Sequence, residues 1–210
     1  MTNRVGPRAV FTALYLAAAV AAGGAHAASP GAADVVSEFY ATLLQTMQQG
    51  PALGAGGRYS KFEPAVRRTF DVALMTRLVV GQSWGSLSAG QQQQITAAFE
   101  RYVAATYADR FDSYSGERLH VTGQRALGAG IIVQTRIVKS NGEAVGIDYL
   151  MFRNDDGWRI SDVYLNGTIS ELATRRSEFS SILRDRGVTG LITALDKKTE
   201  LLSGATRNSS

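Results

Sequence analysis

Very few side chains in this sequence could support acid–base chemistry. There are two histidines and no cysteine, and one of the histidines, His26, lies in the apolar N-terminal segment. His120 is therefore the candidate base for the remainder of the chain, and Asp162 is the acid best placed to line a cavity mouth. No nucleophile elbow accompanies His120, so a Ser-His-Asp triad is not indicated. A solvent-facing strand residue is the simpler interpretation of His120.

The other acidic positions also have structural interpretations. Asp148 alternates with the apolar Ile147 and Tyr149, which predicts that it points away from the interior. Asp155-Asp156-Gly157 is more typical of a hairpin turn than of a calcium site. The sequence has no Walker A loop and no dinucleotide-binding glycine motif. A single histidine without cysteine also argues against zinc. We expect no metal and no cofactor.

The first 27 residues have the pattern of an export signal. Arg4 and Arg8 precede an apolar run over residues 10–22, and Ala25-His26-Ala27 is an A-x-A cleavage pattern. The run is shorter than the roughly 20 residues that span a bilayer. No cysteine follows the cleavage pattern to accept a lipid. We therefore predict a signal peptide over residues 1–27, cleaved near Ala27, and a mature protein that works outside the cytoplasm.

Length and charge bound what the mature chain can be. Residues 28–202 suit one domain with a sizeable core, and residues 203–210 form a polar tail. The 22 basic and 18 acidic residues are nearly balanced, which argues against nucleic-acid binding.

Hydrophobic periodicity predicts helices followed by strands and then helices again. The predicted helices cover 35–47, 62–70, 71–81 with Asp71 as the N-cap, and a segment opened by a Ser88/Gln91 capping box. The predicted strands cover 119–122, 131–139, 144–153 and 158–164. Asn141-Gly142 predicts a tight hairpin. A Thr168/Glu171 capping box predicts the next helix, and a final helix covers about 188–201. This order predicts an α+β fold in which helices wrap an antiparallel sheet.

Several motifs resemble those of a known family. They are Leu78-Val79-Val80-Gly81-Gln82-Ser83-Trp84, Gln91-Gln92 with Phe99-Glu100-Arg101-Tyr102-Val103, Gly157-Trp158-Arg159-Ile160-Ser161-Asp162-Val163 with Asn166-Gly167, and Gly187-Val188-Thr189-Gly190-Leu191-Ile192. In order and spacing they resemble the MlaC, or toluene-tolerance, family of periplasmic phospholipid-binding proteins, over roughly 35–198. The stretch 169–179 looks closest to the hopanoid-associated HpnM branch.

This resemblance implies an NTF2-like fold whose curved antiparallel sheet, wrapped by helices, encloses an apolar cavity. Lipid acyl chains would be buried there, with the head group in solvent. It implies a non-enzymatic monomer that carries phospholipid, or a hopanoid-type lipid, between membranes and so supports outer-membrane lipid asymmetry. The implied partners are an outer-membrane lipoprotein complex and an inner-membrane transporter of the MCE/ABC type, or of the RND type for the hopanoid branch.

Under this resemblance, lipid contacts fall on apolar positions whose phase points inward. They are Val72, Met75, Leu78, Val79, Tyr102, Val103 and Tyr107 on helices, Val133, Ile147, Tyr149, Met151, Ile160 and Val163 on strands, and Ile169 and Leu172 at the following helix. An ordinary filled core would show the same periodicity. Two alternatives therefore remain open: a non-lipid adaptor, and an NTF2-like enzyme that uses Asp162 and His120.

Overall fold

Helices make up the first half of the domain and a strand meander most of the second. The computed structural model describes Met1 and residues 30–204. Its helices are α1 (Ala32–Gln48), α2 (Gly50–Thr69), α3 (Val72–Val80), α4 (Ala89–Arg110) and α5 (Glu171–Ser203), with a 3-10 turn at Gly81–Ser86. Its strands are β1 (Arg118–Leu127), β2 (Gly130–Val138), β3 (Ala144–Asn154), β4 (Gly157–Leu165) and β5 (Ile169–Ser170). Apart from Met1, the predicted signal peptide lies outside the described residues, as does most of the predicted tail.

The five strands form one sheet in chain order, and each strand runs antiparallel to the next. The α+β prediction is confirmed. The predicted hairpin at Asn141-Gly142 is present, but of these two residues only Gly142 has a positive φ, of 86°. The backbone amide of Lys139 donates to the carbonyl of Glu143, so the turn is a three-residue loop rather than a two-residue turn with positive φ at both positions. Strand β1 is longer than predicted and reaches Leu127. Gly123 interrupts the alternation of apolar and polar residues, but a register shift between Val121 and Gly123 accommodates the interruption, and pairing with β2 continues to Leu127.

A bulge in β4 changes which side chains share a face. Met151 pairs with Ile160 and Tyr149 pairs with Val163, so β4 carries one extra residue between these pairs. Ile160 and Val163 are three positions apart and would face opposite ways in a regular strand. The bulge places both of them opposite buried β3 residues on the side of the sheet that the helices cover.

Helix α2 begins at Gly50, about 12 residues before the predicted start near Phe62, and it is kinked at Gly54, where φ is 61°. The Gly/Ala-rich stretch has too little apolar periodicity to predict a helix, but contacts with the end of α4 hold it in place. The Arg58 guanidinium donates to the carbonyl of Ala108 at 2.7 Å and to that of Gly50 at 3.2 Å. Gly50 also approaches the backbone of Asp112 so closely that a Cβ there would lie 1.9 Å from its carbonyl oxygen.

The two predicted C-terminal helices are the two halves of α5, which meet at a kink where Gly187 has a φ of 63°. The cap of α5 differs from the prediction. Ser170, rather than Thr168, accepts a hydrogen bond from the Ala173 amide at 2.9 Å. The Thr168/Glu171 pattern was misleading because Glu171 lies one residue beyond the cap and occupies the first helical position.

The predicted capping box of α4 is present, and its contribution to stability can be measured. The Gln91 amide donates to Ser88 Oγ at 3.2 Å, and the Ser88 amide donates to Gln91 Oε1 at 2.9 Å. Ser88→Ala should therefore lower the free energy of unfolding by about 1 kcal/mol, measured by urea denaturation. Gln93→Ala, at an exposed position of the same helix, is the control and should change the free energy of unfolding by less than about 0.5 kcal/mol. Equal effects of the two would show that the box contributes nothing.

Candidate functional site

An apolar cavity of about 110 Å³ lies between the sheet and helices α3, α4 and α5. Its lining consists of Phe70, Met75, Phe99, Tyr102, Val103, Thr106, Tyr107, Arg110, Phe111, Ile147, Tyr149, Asp162, Val163, Leu165, Glu171, Leu172 and Arg175. Helix α4 supplies the largest share, because its residues from Phe99 to Arg110 recur every three or four positions on one face. Strands β3 and β4 form the opposite wall.

The sequence-predicted lipid contacts fall into three groups. Those that line the cavity are Met75, Tyr102, Val103, Tyr107, Ile147, Tyr149, Val163 and Leu172. Those buried in the surrounding core, outside the lining, are Val72, Val79, Val133, Met151 and Ile160. Leu78 and Ile169 lie at the surface, 44% and 54% exposed.

The two exposed positions have a local explanation. On α3 the buried stripe passes through Val72, Met75 and Val79, so Leu78 lies at its edge and faces solvent. In the two-residue strand β5 the side chain of Ser170 contacts Asp162, so the neighbouring Ile169 points to the opposite face.

Several lining residues were not predicted. Phe99 and Thr106 lie on the same α4 stripe as Tyr102, so helical periodicity alone could have found them. Phe70 and Phe111 lie just beyond the ends of α2 and α4, where no period applies. Leu165 ends strand β4, and its inward face depends on the bulge.

Three tyrosines bring hydroxyl groups to the wall where α1, α4 and β3 meet. The Tyr40 hydroxyl lies 2.5 Å from Thr135 Oγ1, which in turn donates to the carbonyl of Ile147. The ring of Tyr149 packs edge-on against that of Tyr40, with the ring centroids 5.9 Å apart. Burial raises the pKa of the Tyr107 and Tyr149 hydroxyls well above the usual value, so both stay neutral at physiological pH. Tyr107 and Tyr149, the two tyrosines of this group that line the cavity, therefore leave its wall uncharged.

Charged residues of the lining come from the ends of two helices. Arg110 is the last residue of α4, and Glu171 and Arg175 occupy the first turns of α5. The guanidinium of Arg110 lies 3.6 Å from Glu171 Oε1, and that of Arg175 lies 3.4 Å from Glu171 Oε2. Arg175 also bonds Glu178 at 2.8 Å, and its guanidinium is 5.6 Å from the centre of the Tyr102 ring. We call Arg110, Glu171 and Arg175 the charged mouth.

Asp162 has a clear structural role. Its carboxylate accepts hydrogen bonds from the Ser170 hydroxyl at 2.6 Å and from the Leu172 amide at 3.1 Å. These bonds attach the N-terminus of α5 to β4. His120 lies exposed on β1, which is separated from β4 by two intervening strands, so the two strand axes are about 14 Å apart at the usual spacing. The structure does not bring the candidate acid–base pair together.

No cluster of three or more histidine, cysteine or acidic side chains arranged for a metal occurs within residues 30–204. In the same part of the chain, every helix is too short or too polar to cross a bilayer.

Comparison with known proteins places this architecture in a family. Residues 37–197 match the family model of the MlaC protein. The chain belongs to the MlaC family. A MlaC relative, the intermembrane phospholipid transport system binding protein MlaC of Haemophilus influenzae, is 27% identical over 124 residues. That match covers 57% of this chain and 58% of the relative, less than two thirds of its length.

A solved structure supports the same assignment. The phospholipid-binding protein of Ralstonia solanacearum, determined in complex with a phospholipid, superposes on this MlaC-family chain with a TM-score of 0.69 at 25% identity. The match covers 83% of this chain and 99% of that protein. The family prediction is confirmed. The hopanoid-associated branch is not distinguished from the rest of the MlaC family by these matches.

Proposed function

We propose that this protein is a periplasmic phospholipid carrier that buries acyl chains in the apolar cavity and moves lipid between the inner and outer membranes. The observation that carries the proposal is the cavity itself. Apolar and aromatic side chains dominate its lining, and charged groups from α4 and α5 stand beside them. The phospholipid bound to the Ralstonia relative and the family of the Haemophilus relative support the same ligand class.

The physics of lipid transfer explains why a cavity is needed. Each buried CH₂ group contributes about 0.8 kcal/mol, so a lipid with two chains cannot cross water unshielded. The cavity of about 110 Å³ is smaller than the roughly 300–1,000 Å³ of typical ligand pockets. Loading two chains therefore requires the α4–α5 pair and the sheet to move apart.

We assign the chain contacts to the predicted residues that line the cavity. Met75, Val103 and Leu172 offer aliphatic surface on the helices, and Ile147 and Val163 offer it on the sheet. The buried residues behind them, such as Val72 and Met151, act as core that shapes the wall.

Transfer in one direction needs partners with different affinities for loaded and empty carrier. We propose an inner-membrane lipid transporter and an outer-membrane lipoprotein complex in these roles, with the carrier acting as a monomer after removal of residues 1–27. The function proposed here requires no catalytic residue. The separation of His120 from Asp162 gives no support to the enzyme alternative.

Native mass spectrometry of the full chain, expressed with its N-terminal segment in a bacterium that has a periplasm, tests the proposal. We expect a species with bound phospholipid, and organic extraction should identify the same lipid. Extraction of a hopanoid instead would assign the chain to the hopanoid branch. A protein that is purified empty and takes no lipid from vesicles would contradict the carrier function and favour an adaptor with a filled core.

A further inference from the structure

The charged mouth contains two arginines that share one carboxylate. Glu171 faces Arg110 with one oxygen and Arg175 with the other, at 3.6 and 3.4 Å. Charge-assisted hydrogen bonds between arginine and carboxylate usually measure 2.7–2.9 Å. Both distances exceed that range, so Glu171 offsets only one of the two positive charges and makes no short bond to either guanidinium group.

Arg175 is held in place by contacts that do not depend on Glu171. Its guanidinium stacks over the ring of Tyr102 and forms a 2.8 Å bond to Glu178. Its side chain is only 17% exposed, although it carries a full charge. A partly desolvated arginine interacts more strongly with an anion than one in open water does. Arg175 is therefore a preorganised anion-binding group beside an apolar cavity.

The backbone at the same place offers little to an anion. The amides of Leu172 and Ala173, in the first turn of α5, already donate to Asp162 and Ser170. Recognition of an anion at this end of the cavity therefore falls to the guanidinium groups of Arg110 and Arg175.

We propose that Arg110 and Arg175 bind the phosphodiester of a lipid head group, and that Glu171 occupies their site as an internal anion while the cavity is empty. The inference rests on the proposed carrier function, and it names the residues that hold the phosphate of the carried lipid. Phosphate oxygens match the planar fork of arginine as a carboxylate does. When lipid enters, the phosphate takes the place of Glu171, whose side chain is 21% exposed and can turn to solvent. Glu178 keeps its bond to Arg175.

The test compares two lipids that have the same chains and differ in phosphate. Delipidated full-length protein is incubated with micelles of an uncharged sugar detergent that contain either dioleoylphosphatidylglycerol or dioleoylglycerol, and the retained lipid is measured. The variants are Arg110→Gln, Arg175→Gln and Glu171→Gln. Arg184→Gln is the control, since Arg184 lies on the same helix with its side chain 74% exposed and is not part of the cavity lining.

Each arginine variant should bind phosphatidylglycerol about fivefold more weakly and dioleoylglycerol unchanged, a size set by a charge-assisted bond that solvent partly screens. Glu171→Gln should bind phosphatidylglycerol about threefold more tightly, because the competing carboxylate is gone and the screening is similar. Arg184→Gln should match the wild type for both lipids. Circular dichroism checks that each variant is folded, and Arg110→Gln, with a more exposed side chain, keeps the test valid if Arg175→Gln unfolds.

Failure of the phosphate site and failure of the carrier function would give different results. If wild type retains both lipids and the arginine variants weaken both equally, the arginines only shape the mouth and the phosphate site is refuted. Weaker binding of phosphatidylglycerol by Glu171→Gln would also refute it. If wild type retains neither lipid, the carrier function itself fails, and the phosphate site fails with it.

Discussion

Val103→Glu is expected to reduce lipid retention by about 100-fold while the protein remains folded. Val103 is half-buried on the cavity face of α4, so the new carboxylate would meet the acyl chains. Bringing a charge against hydrocarbon costs several kcal/mol, and about 2.7 kcal/mol already corresponds to 100-fold in affinity. Glutamate forms helices more readily than valine does, so the substitution should not disturb α4.

Ala97→Glu is the matched control because it adds the same group to the exposed face of the same helix. It should retain lipid as the wild type does. The measurement is the lipid-bound fraction in native mass spectra of both variants, with circular dichroism to confirm the fold. Retention of lipid by Val103→Glu would show that the acyl chains lie elsewhere. Unfolding of Val103→Glu alone would mark Val103 as ordinary core.

Much of the fold follows from local sequence patterns. Three such features each depend on a few adjacent residues. They are the capping box at Ser88, the Asn141-Gly142 hairpin and the N-cap Asp71, whose carboxylate accepts a hydrogen bond from the Leu74 backbone amide at 3.0 Å. The alternation of residues in β3 predicted that Ile147 and Tyr149 face inward, and both side chains are buried in the structure. These features are local, so a single sequence contains the information that specifies them.

The parts that sequence reasoning missed depend on contacts between distant segments. The long α2 is held by Arg58 reaching the end of α4, which no period within α2 reveals. The charged mouth brings Arg110 close to Glu171, although all five strands lie between these two residues in the sequence. Periodicity also cannot separate a cavity-lining residue such as Met75 from a core residue such as Val72. Both point inward, and only the packing decides which of them borders open space.

Asp162→Ala should lower the free energy of unfolding by about 3 kcal/mol, since it removes the buried carboxylate that joins β4 to α5. The Ser170 hydroxyl and the Leu172 amide would both lose their acceptor, and bonds to a charged group contribute about 1.5–3 kcal/mol each. For a domain of this size, such a loss lowers the Tm by about 10 °C. Urea denaturation and thermal melts followed by circular dichroism measure both quantities.

Asp155→Ala is the control, because it removes the same charge from the exposed turn between β3 and β4 and should change stability by less than about 0.5 kcal/mol. Asp162→Asn keeps one acceptor oxygen and should lie between the two, at a loss of about 1.5 kcal/mol. A structural anchor predicts this graded series. An acid–base role for Asp162 predicts instead that Asp162→Asn leaves stability intact and abolishes a turnover activity. Equal stability of all three variants would contradict the anchoring role, because the N-terminus of α5 would then be held without Asp162.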